Sequence, residues 1–172
     1  MKTSELGEEF IISFEKVRLI AYDDGCGVWT LGVGRTKDVK RGDVCSAKQA
    51  FDWFAAELAQ YGYVVNACVS QPLTQCQFDA LTSFTYNVGA TALRSSTLLR
   101  LLNAGDYTGA AAQFPRWNKG TVNNKLVELA GLTLRRKAEQ KIFETGAYDM
   151  HDGGTKFTGV FAFTDIISGV VQ

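Results

Sequence analysis

Glu15, Asp24 and Thr30 stand nine and then six positions apart in the chain. Hydrolysis of an acetal asks for a carboxylic acid that protonates the departing oxygen, and a second group that activates water or stabilises the developing positive charge. Glutamate, aspartate and threonine supply those group types, and they must face one another across a cleft. Taken singly each has a plainer reading. A glutamate on a helix commonly faces solvent, an aspartate before glycine forms a turn, and a threonine in a strand serves shape. Periodicity alone leaves enzyme status open; what matters is whether a helix ends beside a small sheet, so that three elements bring three side chains together.

Phe10, Phe14, Val17 and Ala21, with Ile11 beside them, recur at helical spacing and place Glu15 on a first helix. The adjacent apolar Leu19 and Ile20 blur that pattern, so a second reading ends the helix near Glu15 and leaves 18–22 extended. DDGCGV at 23–28 supplies turn formers, and VWTLGVG at 28–34 suits a short strand with glycines at crowded points, giving a small twisted antiparallel sheet. Ser46 followed by Gln49 forms a capping box ahead of a buried stripe from Ala47 to Tyr61. Pro72, Thr74 and Gln77 mark the start of a central helix that stops before Gly89. Shorter helices are expected over 96–103 and over 107–114, before Pro115, and a last one over 132–145, stopped by Gly146. The fold class is α+β and mainly helical.

A length of 172 residues suits one domain with a short appendage, and 46% apolar against 21% charged residues supplies a core and excludes disorder as the main state. Eighteen basic residues balance eighteen acidic ones, so no global field points to nucleic acid or to an anionic membrane. MKTSELGEEF has the wrong charge for a secretory signal, and no run of apolar residues is long enough to span a bilayer, so accumulation in the cytoplasm is expected. Cys26, Cys45, Cys68 and Cys76 form no CxxC pair and His151 is the single histidine; no metal is expected, and the thiols should be free. Between Arg116 and Lys141 seven basic residues meet only Glu128 and Glu139. Such a basic interval lines a groove, holds a buried carboxylate ionised, or forms a solvated helix face. Residues 146–172 carry short apolar pieces and read as a strand or a packed tail.

FEKVRLIAYDDGCGVWTLGVGRT at 14–36, FDALTSFTYNVG at 78–89, SSTLLRLLNAGDYTGAAAQFPRW at 95–117 and GLTLRRKAEQKIF at 131–143 together resemble the phage T4-type lysozyme family, the family 24 glycoside hydrolases. The resemblance implies a two-lobed catalytic domain over 1–145, with a sheet lobe at 16–50, a helical lobe at 70–145 and a long helix joining them, followed by a C-terminal extension, 146–172, packed on the domain. It implies Glu15 as general acid for cleaving the β-1,4 bond between N-acetylmuramic acid and N-acetylglucosamine, with Asp24 and Thr30 positioning the attacking water. Inversion at the anomeric carbon is the implied outcome; a covalent intermediate on Asp24 is the minority route. Arg135 is implied to pair with the catalytic glutamate, with Arg136 its nearest alternative. Arg35 in GVGR stands where relatives usually have histidine, and an arginine there replaces an ion pair but not a proton relay.

By the same resemblance Asn87, Ser96 and Thr97 border the sugar groove, although each also suits a helix cap. Trp117, Tyr22 and Trp29 are read as structural. The implied biology is a phage endolysin that lyses its host, Gram-negative by resemblance. It would act as a monomer on peptidoglycan without a cofactor, leaving the cytoplasm for the periplasm or wall with the help of a holin. Competing readings are a catalytically weak wall-binding or structural protein, and a lytic transglycosylase; for the tail, the competing reading is a wall-binding module.

Overall fold

The computed structural model describes residues 1–23, 27–122 and 124–151. The chain divides into two units, one built from Met1–Glu8 with Ala59–Asp149, the other from Glu9–Leu58 with the segment that starts at Met150.

In the second unit, helix α1 (Glu5–Ser13, begun in the other unit) hands over to strand β1 (Val17–Asp23), which pairs antiparallel with β2 (Trp29–Val33). The helix therefore takes the shorter of the two readings. Its last turn tightens to i→i−3 bonds, Phe14 N–H to Ile11 O at 3.2 Å and Glu15 N–H to Ile12 O at 2.9 Å, before the β-branched Val17 starts the strand. Ala21 thus leaves the helical stripe and packs instead with Leu31, Cys45 and Ala50 in the sheet core, against Trp29, Val39 and Trp53.

The β1–β2 register slips. Val17 faces Val33 and Arg18 faces Gly32, but Tyr22 faces Thr30 and Asp23 faces Trp29, so Leu19, Ile20 and Ala21 oppose Leu31 alone. The displaced residues find other partners: Cys45 donates to Leu19 O at 3.0 Å, Ile20 bridges Val44, and Ala21 donates to Asp43 O at 2.8 Å. Extra residues on one strand bend it and increase its twist, which curls the ribbon along β1. Gly32 needs to be glycine, with φ at +64° and a Cβ there only 3.2 Å from that of Ala50. Ala50 sits on α2 (Ala47–Cys68), whose capping box is present: Ser46 N–H to Gln49 Oε1 at 2.9 Å and Gln49 N–H to Ser46 Oγ at 3.2 Å. The helix runs past Tyr61 to Cys68, and its buried Ala50, Phe51, Phe54 and Leu58 belong to the second unit.

The first unit is organised by α3 (Gln75–Val88), capped by Thr74 and Gln77, stopped at Gly89, and buried from Phe78 through Thr85. Around it stand α4 (Ala90–Ser95), α5 (Thr97–Asn103), α6 (Tyr107–Ala111) and α7 (Ala130–Thr145), the last ending at Gly146 with φ at +74°. Phe84, at the centre, meets Phe114 and Trp117 edge-on with ring centroids 5.5 and 5.3 Å away, and Phe114 meets Phe143 at 5.7 Å. Trp117 is accordingly a packing residue. α6 stops at Ala111, short of the expected 114, because the chain turns into a 3-10 segment, Phe114–Trp117, with Pro115 in its first turn.

An antiparallel hairpin of β3 (Lys119–Val122) and β4 (Lys125–Glu128) follows; its side chains are largely exposed, so no alternation of apolar residues announced it. After α7, Tyr148 donates to Asp79 Oδ2 at 2.7 Å and Lys141 pairs with Asp149 at 2.6 Å. The strand or packed tail expected beyond falls mainly on 152–172, outside the described residues. Among the described residues no helix is long and apolar enough to cross a membrane, and Cys45, Cys68 and Cys76 are free thiols.

Candidate active site

Glu15 is not on the helix where the periodicity put it but two residues beyond its end, half-buried, in the turn that leads into β1. Its backbone is still tied to α1 by the bond to Ile12 O, and the preceding Phe14 packs edge-on against the fully buried Phe10, centroids 5.1 Å apart. A side chain carried by such a turn is held by a rigid helix end on one side and a paired strand on the other.

Lys16 and the whole of β1, to Asp23, line an open cavity of about 700 Å³. The cavity wall is therefore the stretch of chain that separates Glu15 from Asp24. Asp24 itself lies outside the described residues. The neighbouring Asp23 pairs with Trp29 and accepts a bond from Gly27 N–H at 3.0 Å. Thr30 is buried on β2 opposite Tyr22, and its hydroxyl donates to Val28 O over 3.5 Å. A bond of that length is weak, and it leaves the lone pairs of Oγ1 available to accept from a water.

Arg35 stands two residues beyond the end of β2. Its backbone exchanges both bonds with Leu31, at 2.8 and 3.0 Å. Its Nη1 lies 2.6 Å from Glu57 Oε1 on α2, and its guanidinium lies 5.1 Å from the centre of the Trp53 ring. The arginine thus ties the strand that carries Thr30 to α2 through an ion pair and a cation–π contact.

In the other unit, α7 buries a charged group that sequence reasoning did not single out. Glu139 is 0% exposed; its Oε1 accepts from Ser83 Oγ at 2.7 Å, Arg135 Nε at 3.2 Å and Arg136 Nη2 at 3.0 Å, and its Oε2 lies 3.0 Å from Arg136 Nε. Of the three readings of the basic interval, holding a buried carboxylate applies to Arg135 and Arg136, while Arg116, Lys119, Lys125, Lys137 and Lys141 are exposed. The signal was present in RRKAE, where both arginines precede the glutamate at i,i+4 and i,i+3 spacing. Burial pushes the Glu139 carboxyl up against the pull of both guanidiniums, and burial draws Arg136 down to about 10.

Asn87, exposed on the last turn of α3, accepts from Arg136 Nη2 at 3.0 Å through Oδ1. Because a guanidinium only donates, the amide presents its oxygen inward and its NH2 the other way. Ser96 is buried and caps α5, accepting from Leu99 N–H at 3.0 Å and donating to Leu93 O at 2.7 Å. Thr97 is exposed in the first turn of α5.

Residues 12–139 match the family model for phage lysozyme. The chain is 44% identical to an endolysin of Acyrthosiphon pisum secondary endosymbiont phage 1 over 84% of its own length and 99% of that protein. It is 40% identical to an endolysin of Bacillus phage PZA over 98% of this chain, but it spans only 65% of that relative's length. The structure is similar to that of the endolysin from Escherichia coli O157:H7 phage FAHEc1, with a TM-score of 0.82 and 38% identity over 87% of this chain and 97% of that one. With its small curled sheet, its helical unit and a matched stretch that runs from α1 into α7, the chain belongs to the phage lysozyme family.

Proposed function

We propose that Glu15 is the general acid of this enzyme and that Asp24 and Thr30 hold and activate the attacking water. The chain is a glycoside hydrolase that cleaves the β-1,4 bond between N-acetylmuramic acid and N-acetylglucosamine in peptidoglycan, and lysis of the host cell is its biological role. The observation that carries the residue assignment is the cavity along β1: its wall starts beside the half-buried Glu15 and ends at Asp23, next to Asp24, while Thr30 sits on the paired strand. General-acid catalysis contributes on the order of 10² to 10⁴ in rate. The rest of the acceleration comes from electrostatic stabilisation of the oxocarbenium-like charge and from binding several sugars.

Supporting roles go to Arg35, which steadies the Thr30 strand through Glu57, and to Arg135, held by Glu139 and Ser83. Asn87, Ser96 and Thr97 are assigned to the border of the sugar groove; of these the Ser96 hydroxyl is engaged in capping α5. Residues 1–145 are assigned to the catalytic domain and 146–172 to an extension, whose first residues Tyr148 and Asp149 contact Asp79 and Lys141. The enzyme works as a monomer at the cell wall, reached from the host cytoplasm once a holin has opened the membrane.

Displacement by water inverts the anomeric carbon. Purified peptidoglycan digested in the NMR tube should release reducing ends first seen as the α-anomer. An initial β-anomer would refute direct displacement and favour a covalent intermediate on Asp24, and an anhydro end would make the enzyme a transglycosylase.

A further inference from the structure

We infer that His151 is a positioning residue for Glu15: the segment after α7 returns to the end of α1 and clamps the two residues that precede the acid. The inference deepens the assignment of Glu15 as general acid and rests on it. The backbone N–H of His151 donates to Ser13 Oγ at 3.1 Å, while Ser13 Oγ itself donates to Phe10 O at 2.7 Å. The His151 imidazole stacks on the Phe14 ring with centroids 5.0 Å apart and planes 11° from parallel. Phe14 is therefore gripped on two sides, edge-on by the buried Phe10 and face-on by His151.

The clamp falls where the chain most needs one. α1 ends without glycine or proline, its last turn tightens, and Glu15 is the next residue after Phe14. A stacked ring and a hydrogen bond on the two preceding residues restrict the turn's rotation, so the carboxyl keeps one direction relative to β1. The imidazole takes part through its flat face and the hydrogen bond comes from the backbone, so an uncharged aromatic ring should serve as well. His151 lies beyond residues 12–139, the stretch that matches the family model.

The test compares His151→Ala, His151→Phe, Ser13→Ala and Glu15→Gln by steady-state release of reducing ends from purified peptidoglycan, with melting followed in parallel. Misplacing a catalytic group by about 1 Å costs on the order of 10²-fold, so His151→Ala should lower kcat about 10- to 100-fold with KM little changed. His151→Phe, which keeps the stack, should recover most of that loss. Ser13→Ala, which removes the other half of the clamp and leaves the ring in place, should lower kcat in the same direction and keeps the inference testable if His151→Ala fails to fold. Wild-type kcat in a folded His151→Ala, or in Ser13→Ala where His151→Ala does not fold, a change confined to KM, or a His151→Phe variant as impaired as His151→Ala would overturn the inference. Full turnover by Glu15→Gln would instead overturn the assignment of the acid; an inert Glu15→Gln beside an unimpaired His151→Ala defeats the clamp alone.

Discussion

Replacing Glu139 by glutamine should be among the most damaging isosteric changes available in this chain. The carboxylate is fully buried and takes three hydrogen bonds on one oxygen, from Ser83, Arg135 and Arg136. Glutamine keeps the shape but removes the charge, and it aims either an NH2 donor or a single neutral oxygen at two guanidiniums that are themselves buried. Breaking a buried pair by removing one partner costs about 3–5 kcal/mol, chiefly because the remaining charge is left uncompensated. For a chain of this size that corresponds to a fall in Tm of roughly 6–20 °C, a large part of a total stability of about 5–15 kcal/mol.

Urea denaturation of Glu139→Gln at neutral pH checks the figure. A triple replacement of Glu139, Arg135 and Arg136 by methionine should lose far less than Glu139→Gln, since no charge is then stranded. A Glu139→Gln variant within about 1 kcal/mol of wild type would refute the reasoning, as would a triple variant less stable than the single one, because either result would mean that the arginines find water or other partners when the carboxylate is gone.

Gly32→Ala should destabilise by about 1–3 kcal/mol and slow turnover, since a Cβ at φ +64° is strained and must press on Ala50 beside the Thr30 strand; denaturant titration and a turnover assay read both effects, and a neutral outcome would place the strain elsewhere. Glu8→Gln should raise Tm at neutral pH and leave it unchanged well below the ordinary carboxyl range. Burial first, then Glu5 and Asp79, push the Glu8 carboxyl up, so the folded state holds that proton more tightly than the unfolded one. Its stabilising contribution is present in acid and is lost as pH rises through the shifted pKa. Glutamine carries no charge to penalise. Half-exposure keeps the effect small, and a drop in Tm at neutral pH would reverse the assigned sign.

Legibility in the sequence followed how local each signal was. Ser46 with Gln49, Thr74 with Gln77, and Gly146 mark helix ends through bonds made within a few residues, and all three are present in the structure. The end of α1 was ambiguous because Phe10, Phe14, Val17 and Ala21 fit a helix by spacing alone; the decision came from Asp43, Val44 and Cys45, which pair with 19–21 across the chain. The β3–β4 hairpin carries no buried face and so left no pattern to read.

At the site, Glu15 and Thr30 were legible as residue types and a helix end near Glu15 was one of two readings, but the register slip in β1, the strand that lines the cavity, was not. Glu139 was counted only as counter-charge, since i,i+3 and i,i+4 spacing does not say which face of α7 is buried. Asp24 lies outside the described residues, so its part in the chemistry rests on the family pattern.

The most direct measurement is the turnover of Glu15→Gln on purified peptidoglycan, with binding to the insoluble glycan measured on the same preparation. With Glu15 as the general acid, release of reducing ends should fall by about 10² to 10⁴ while binding and melting stay those of wild type. Unchanged turnover in a folded, glycan-bound variant would contradict that role, because the proton delivered to the departing oxygen would then have another source.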